Sequence, residues 1–170
     1  QSAFEWMDAL VSAVIIVVLL FTFLFRTIGV EGTSMVPTLA NGDRLIVSHL
    51  FYRPTPGDVV VIVQSESDTP AIIKRIIAVE GQTVDINFSF GTVTVNGQVL
   101  EEDYINEPTY MKRDVDFPVT VPQGCVFVMG DNRNRSLDSR DSSIGMVDQR
   151  YILGKAVFRL FPFQKIGLIE

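Results

Sequence analysis

The chain has 170 residues, enough for one globular domain with its own core but not comfortably enough for two. A net charge of −6 without a clustered basic segment argues against nucleic-acid binding, which needs a basic face. The single cysteine, Cys125, excludes an intramolecular disulfide, and the single histidine, His49, excludes a metal site made of several imidazoles. We expect Cys125 to be a buried structural thiol and His49 to lie on the surface or in a loop.

The first element along the chain is an apolar run, Ala9 to Phe25, that contains no charged residue. Its length of about 17 residues is at the short end for a membrane-spanning helix. A buried core helix would show a polar stripe, and a cleavable signal peptide would be followed by an Ala-x-Ala-like pattern; neither is present. We therefore predict an N-terminal stub (1–8), a transmembrane helix (9–27) and a β-rich domain (28–170).

The charges beside this run indicate an orientation in the membrane. Glu5 and Asp8 precede it and Arg26 follows it. Taken alone, the positive-inside rule would place the main domain on the cytoplasmic side.

The rest of the chain alternates short β-branched runs with turn residues, which is typical of an antiparallel β domain. Asn96-Gly97 lies between two such runs in Thr92–Leu100 and predicts a hairpin with a type I′ turn. The predicted strands are Arg44–Val47, Val59–Val63, Ile72–Val79, Thr83–Ile86, Thr92–Val95, Val119–Val121, Cys125–Met129 and Ala156–Leu160.

Three segments carry polar groups suited to chemistry. The first is Gly32–Leu39, just after the apolar run, in which Ser34 is followed by a stiffening Pro37. A serine presented there could have backbone N–H groups nearby to hold an oxyanion. The segment could also be an ordinary turn.

The second segment is the predicted strand that contains Lys74. Strand alternation places Lys74 on one face with Ile72 and Ile76. Desolvation among apolar neighbours favours the neutral amine and lowers its pKa, which a general base requires. The alternative is a lysine on an edge strand whose amine reaches solvent.

The third segment is the polar loop Gly130–Arg140, which directly follows the apolar strand Cys125–Met129. Its many hydrogen-bonding and charged groups predict an ordered polar network held on a rigid strand. A solvated loop with local Asx turns is the other interpretation.

Together, in this order behind an apolar N-terminal helix, these segments resemble type I signal peptidase over nearly the whole chain. The resemblance implies that Ser34 is the nucleophile and Lys74 the general base. It also implies that Ser136 helps to orient the lysine and that Asp138 and Arg140 hold the site together. Gly57–Val61 resembles a further strand of the family.

One departure concerns the oxyanion hole. Some members of the family carry a serine hydroxyl two residues before the nucleophile, where this chain has Gly32. The resemblance therefore assigns the oxyanion to backbone N–H groups, that of Ser34 included, as in the Gram-positive-like short form.

The resemblance implies a mostly β fold of the signal peptidase/LexA-like kind behind a single transmembrane helix. It implies a serine endopeptidase that removes signal peptides from exported preproteins after small residues. The expected partners are preprotein signal peptides and the lipid bilayer, without nucleic acid, metal or cofactor. The expected location is the plasma membrane, with the catalytic domain on the extracytoplasmic side. A self-cleaving LexA-like regulator and an inactive membrane-tethered β domain that binds partners are the alternatives.

Overall fold

The computed structural model describes residues 3–63 and 70–169, with side chains of the N-terminal helix described from Phe4 to Val18. Helix α1 spans Ala3–Leu24, and all its side chains from Phe4 to Val18 are exposed. Within the described part of the chain, no helix meets the length and apolarity expected of a membrane span. Residues 25–27, which the sequence assigned to the helix, instead pair with a neighbouring strand.

The rest of the described chain is built from β-strands joined by short turns. The strands are β1 (Phe25–Gly29), β2 (Arg44–Ser48), β3 (Val59–Ile62), β4 (Ile72–Val79), β5 (Thr83–Asn87), β6 (Thr92–Val95), β7 (Gln98–Val99), β8 (Val119–Thr120), β9 (Cys125–Met129), β10 (Val147–Asp148), β11 (Ile152–Phe161) and β12 (Gly167–Leu168). Single 3₁₀ turns are found at Arg133–Arg135, Gln149–Tyr151 and Phe163–Lys165.

The mostly β, antiparallel architecture predicted from the sequence is confirmed. Seven predicted strands agree with the structure to within one residue at either end, and the eighth lies inside β11. The predicted hairpin is β6–β7, in which Asn96 and Gly97 have φ angles of 52° and 78°, as a type I′ turn requires. Strands β1, β10 and β12 were not predicted.

The strands form two antiparallel sheets. The larger has eight strands in the order β1-β2-β11-β3-β4-β9-β10, with β12 paired to β11, and the smaller has the order β7-β6-β5-β8. Strand β4 lies between β3 and β9, which is why all its central residues, including Lys74 and Arg75, are buried.

Three apolar clusters hold these layers together. One packs β2 and β3 against Met35 and Leu39 of the segment that carries Ser34. The second joins the smaller sheet to β4 and β9, and the third covers the opposite face of β3, β4 and β9. Cys125 is half-buried at the edge of the second cluster, so the prediction of a buried thiol is wrong, because β9 begins at this residue. His49 is exposed just after β2, as predicted.

Gly154 provides a test of this packing, because β11 passes β2 there without room for a side chain. A Cβ on Gly154 would lie 2.5 Å from the backbone oxygen of Ser48. We expect Gly154→Ala to lower the free energy of unfolding by about 1–3 kcal/mol, the usual cost of forcing extra atoms into a packed interior. Urea unfolding in detergent measures it.

The matched control is Gly167→Ala in β12, since a Cβ there meets nothing within 4 Å. Equal destabilisation by the two substitutions would contradict the close approach of β11 to Ser48.

Candidate active site

Ser34 lies in the turn between β1 and β2, at the edge of the apolar core. Gly32 adopts a φ of 84° and donates its N–H to Asn41 Oδ1 at 2.9 Å, which fixes the turn before the serine. Buried Met35 and Leu39 anchor the chain after it. The segment is therefore held on both sides while Ser34 itself stays half-buried.

Lys74 meets Ser34 directly. Its Nζ donates to Ser34 Oγ at 2.9 Å and to the backbone oxygen of Ile73 at 3.2 Å. Only 4% of Lys74 is exposed. The structure thus joins two side chains that are 40 positions apart in the sequence, at a distance suited to proton transfer.

The environment of Lys74 favours its neutral form. Burial is the main cause that lowers the pKa of Lys74 below its usual value, and the charge of Arg140 lowers it further. Asp138 and Asp131 act in the opposite direction. Desolvation prevails over the two carboxylates, because the pKa is lowered overall.

Asp138 and Arg140 form a fully buried ion pair near Lys74. The guanidinium of Arg140 donates from Nε and Nη2 to the two oxygens of Asp138, at 2.8 Å each. Asp138 Oδ2 also accepts the N–H of Gly130 at 3.0 Å. The pair therefore fixes the backbone where β9 leaves the sheet.

A second buried ion pair, between Arg75 and Asp131, was not predicted. Arg75 donates from Nε and Nη2 to the two oxygens of Asp131 at 2.9 and 2.8 Å. Thr38 Oγ1 donates to Asp131 at 2.5 Å, which ties the pair to the Ser34 segment. Apolar neighbours Ile73 and Ile77 on the same predicted face of β4 were the available signal that Arg75 is buried.

Gly130 and Asn132 hold the backbone of Ser34. Asn132 donates its N–H to the backbone oxygen of Ser34 at 3.0 Å and its side-chain amide to that of Thr33 at 3.0 Å. A Cβ on Gly130 would lie 2.5 Å from Ser34 O and 2.5 Å from Ser136 Cβ. Only glycine therefore fits where the polar loop meets the serine segment.

Ser136 is fully buried against Gly130. Its hydroxyl donates to the backbone oxygen of Leu137 at 3.4 Å. Among the described residues, no hydrogen bond joins Ser136 to Lys74. Its role in orienting the lysine stays a prediction.

The segment before β8 packs over two buried arginines, Arg75 and Arg133. The sequence did not indicate this contact. The ring of Tyr104 lies 4.0 Å from the guanidinium carbon of Arg75, and burial raises the pKa of Tyr104 to about 12. Glu102 forms an ion pair with Arg133 at 2.7 Å, and both side chains are buried. These contacts help to bury Arg75 and Arg133, which are 2% and 0% exposed.

A cleft of about 330 Å³ borders Ser34 and Lys74. It lies between the end of β1, at Ile28 and Gly29, and the first half of β4, at Ile72 and Ile73. In the described parts of the chain, no cluster of three or more His, Cys, Asp or Glu side chains could hold a metal ion. The arrangement thus offers a serine, an amine whose pKa is lowered by burial, and an open cleft.

Known proteins of one family are similar to this chain over nearly its whole length. The sequence profile of the family described as "Signal peptidase, peptidase S26" matches residues 3–161. "Signal peptidase I" of Bacillus licheniformis is 40% identical, with 98% of this chain and 92% of that protein covered. "Probable signal peptidase I-1" of Synechocystis sp. is 42% identical, with 96% of this chain and 85% of that protein covered.

A crystal structure of a signal peptidase I from Enterococcus faecalis V583 is 32% identical, with a TM-score of 0.49, and the alignment covers 61% of this chain and 97% of that one. The profile match spans nearly the whole chain, from the N-terminal helix to the end of β11. The chain belongs to the signal peptidase family, peptidase S26.

Proposed function

We propose that this protein is a serine endopeptidase that removes signal peptides from exported preproteins with a Ser34–Lys74 dyad. The observation that carries the proposal is the 2.9 Å contact between Lys74 Nζ and Ser34 Oγ. It occurs at a lysine with 4% exposure, where the amine is driven towards its neutral form. Similarity to proteins named signal peptidase I supplies the substrate class.

The chemistry follows from these two groups. Neutral Lys74 takes the hydroxyl proton of Ser34 as Oγ attacks the scissile carbonyl. Collapse of the tetrahedral intermediate breaks the C–N bond, and Lys74 returns the proton to the leaving amine. Water then attacks the acyl-enzyme with the same proton transfers, which releases the new carboxyl terminus and restores Ser34.

The backbone N–H of Ser34 is the proposed oxyanion donor. It donates no hydrogen bond to any described residue, whereas the carbonyl of Ser34 accepts from Asn132. A free N–H that is fixed by its neighbours is suited to charge that develops only in the transition state. Gly32 offers no side chain for this purpose.

The cleft is suited to an extended peptide. Strand β1 pairs with β2 along one edge, and β4 pairs with β9 only from Arg75 onwards. Two strand edges thus face the cleft beside Ser34, and a substrate segment could pair with them as an added strand. Apolar lining from Ile28, Met35 and Ile73 suits small apolar side chains on the acyl side of the cut.

We assign helix α1 as the membrane anchor, with the β domain on the extracytoplasmic side of the plasma membrane. The support is the uncharged run Ala9–Phe25 together with the exposure of every side chain from Phe4 to Val18. Exposed apolar side chains on all faces of a helix are stable in lipid and costly in water. The orientation rests on the proposed substrates, which are cut after export, and opposes the orientation from flanking charges.

The dyad is tested with a preprotein cleavage assay in detergent. We expect Ser34→Ala and Lys74→Ala each to lower kcat/KM by at least about 10³-fold, because each removes a group that takes part in bond making or proton transfer. Cleavage products are followed by gel shift and N-terminal sequencing.

The controls are Ser89→Ala and Lys112→Ala, which alter exposed residues of the same types remote from the cleft. Retained cleavage by Ser34→Ala would exclude Ser34 as the nucleophile. A parent chain that cleaves no preprotein would favour the tethered binding domain.

The pH dependence tests the role of Lys74. Since only the neutral amine acts as a base, kcat/KM on a soluble peptide should rise with pH through the lowered pKa of Lys74 and then level off. A limb centred near the value of about 10.4 for an unperturbed lysine would contradict the burial argument.

The lowered pKa of Lys74 also predicts how the free energy of unfolding depends on pH, and Lys74→Met tests this dependence. The relevant pH window lies between the lowered pKa of Lys74 in the native state and the value of about 10.4 in the unfolded state. In this window the unfolded state binds more protons than the native state. The parent therefore loses stability as pH falls through the window. Lys74→Met removes this loss, and its stability gain over the parent should be largest below the window and decrease as pH rises through it. Urea unfolding across pH measures the gain, with exposed Lys112→Met as control; a gain independent of pH would contradict the prediction.

A further inference from the structure

A second cavity, of about 450 Å³, lies at the end of the larger sheet where α1 joins it. Its position follows from β1, whose first residue, Phe25, comes directly after the helix and pairs with Ser48 at the end of β2. The cavity shares no lining residue with the cleft beside Ser34. It is therefore separate from the proposed catalytic site.

Nitrogen donors surround this cavity. Arg26 of β1, His49 after β2 and Arg150 before β11 line it, together with Tyr151. Arg150 uses Nε and Nη2 on Asp148, whereas Arg26 and His49 form no ion pair with any described residue. Two arginines thus line one cavity in a chain with a net charge of −6.

The floor of the cavity and its surroundings are apolar. Val47 and Ile152 form part of the lining. Leu50 and Phe51, which follow His49 directly, are 50% and 94% exposed. Guanidinium groups match the oxygens of a phosphate, and an apolar floor matches a hydrocarbon chain.

We propose that this cavity binds the phosphodiester group of an anionic phospholipid, with the acyl chains against the apolar floor and the exposed Leu50 and Phe51. The proposal rests on the proposed membrane anchor, because α1 brings the cavity to the bilayer surface. Arg26 and Arg150 contact the phosphate oxygens, and His49 donates a ring N–H. The site would fix the height and tilt of the β domain above the lipid.

His49 makes the test direct, because it is the only histidine and its ring gives unique NMR signals. The full chain in a non-ionic detergent is titrated at neutral pH with dihexanoylphosphatidylglycerol. We expect a saturable shift of the His49 ring signals, and Arg26→Gln should weaken the fitted affinity about fivefold, the usual effect of one basic residue at an anionic surface. Arg44→Gln is the control, since Arg44 is an exposed arginine at the opposite end of β2 and should leave the affinity unchanged.

Two further titrations distinguish the source of the phosphate. Dihexanoylphosphatidylcholine and inorganic phosphate should each bind at least about tenfold more weakly, because the first carries a choline cation and the second has no acyl chain. Equal affinity for inorganic phosphate would overturn the lipid assignment, and equal affinity for phosphatidylcholine would overturn the requirement for an anionic headgroup.

Absence of a saturable shift with phosphatidylglycerol, or equal weakening by Arg26→Gln and Arg44→Gln, would overturn the site itself. Soluble peptide cleavage by Arg26→Gln should equal that of the parent, since the cavity and the cleft are lined by different residues. Failure of lipid binding is thus distinguishable from failure of the proposed protease activity.

Discussion

The structure depends on burying the amine of Lys74 beside Ser34, which lowers the pKa of that amine. Two carboxylates, Asp138 and Asp131, are near enough to favour the ammonium form of Lys74. Each carboxylate is held by an arginine through two hydrogen bonds, Asp138 by Arg140 and Asp131 by Arg75. Since each ion pair is close to neutral overall, burial has the largest effect on the pKa of the amine. Buried ion pairs contribute little net stability, and their value here is in the field and the geometry that they impose.

The same ion pairs bring three separate stretches of chain to one point. Asp138 accepts the N–H of Gly130, and Asp131 accepts the hydroxyl of Thr38, four residues after the nucleophile. Asn132 then donates to the backbone of Ser34. The same ion pairs therefore contribute both to the electrostatic surroundings of Lys74 and to the placement of Ser34. A change that breaks either ion pair leaves a buried charge and also frees the serine segment.

Local chemistry determines how much of this could be predicted from the sequence. Asn96-Gly97 specified its own turn, and the apolar run of β4 specified a buried strand. The motif resemblance paired Ser34 with Lys74. The partners of Arg75 could not be predicted, because Asp131 is 56 positions away and Tyr104 lies in a segment without a periodic pattern. Strands β1, β10 and β12 form only where a neighbouring strand offers them an edge, and that edge exists only in the folded sheet.

Strand β1 connects the proposed anchor to the proposed chemistry. It starts at the residue after α1, contributes Arg26 to the second cavity and ends at the cleft beside Ser34. Ser34 lies ten positions after Leu24, and ten extended residues span at most about 35 Å. The scissile bond must therefore lie within about 35 Å of the end of α1. A bound signal peptide must cover the same distance between its apolar segment in the bilayer and its cleavage site. About ten extended residues are therefore enough for the polar stretch that joins the two. The length of β1 and its turn thus helps to select which peptides present a bond to the serine.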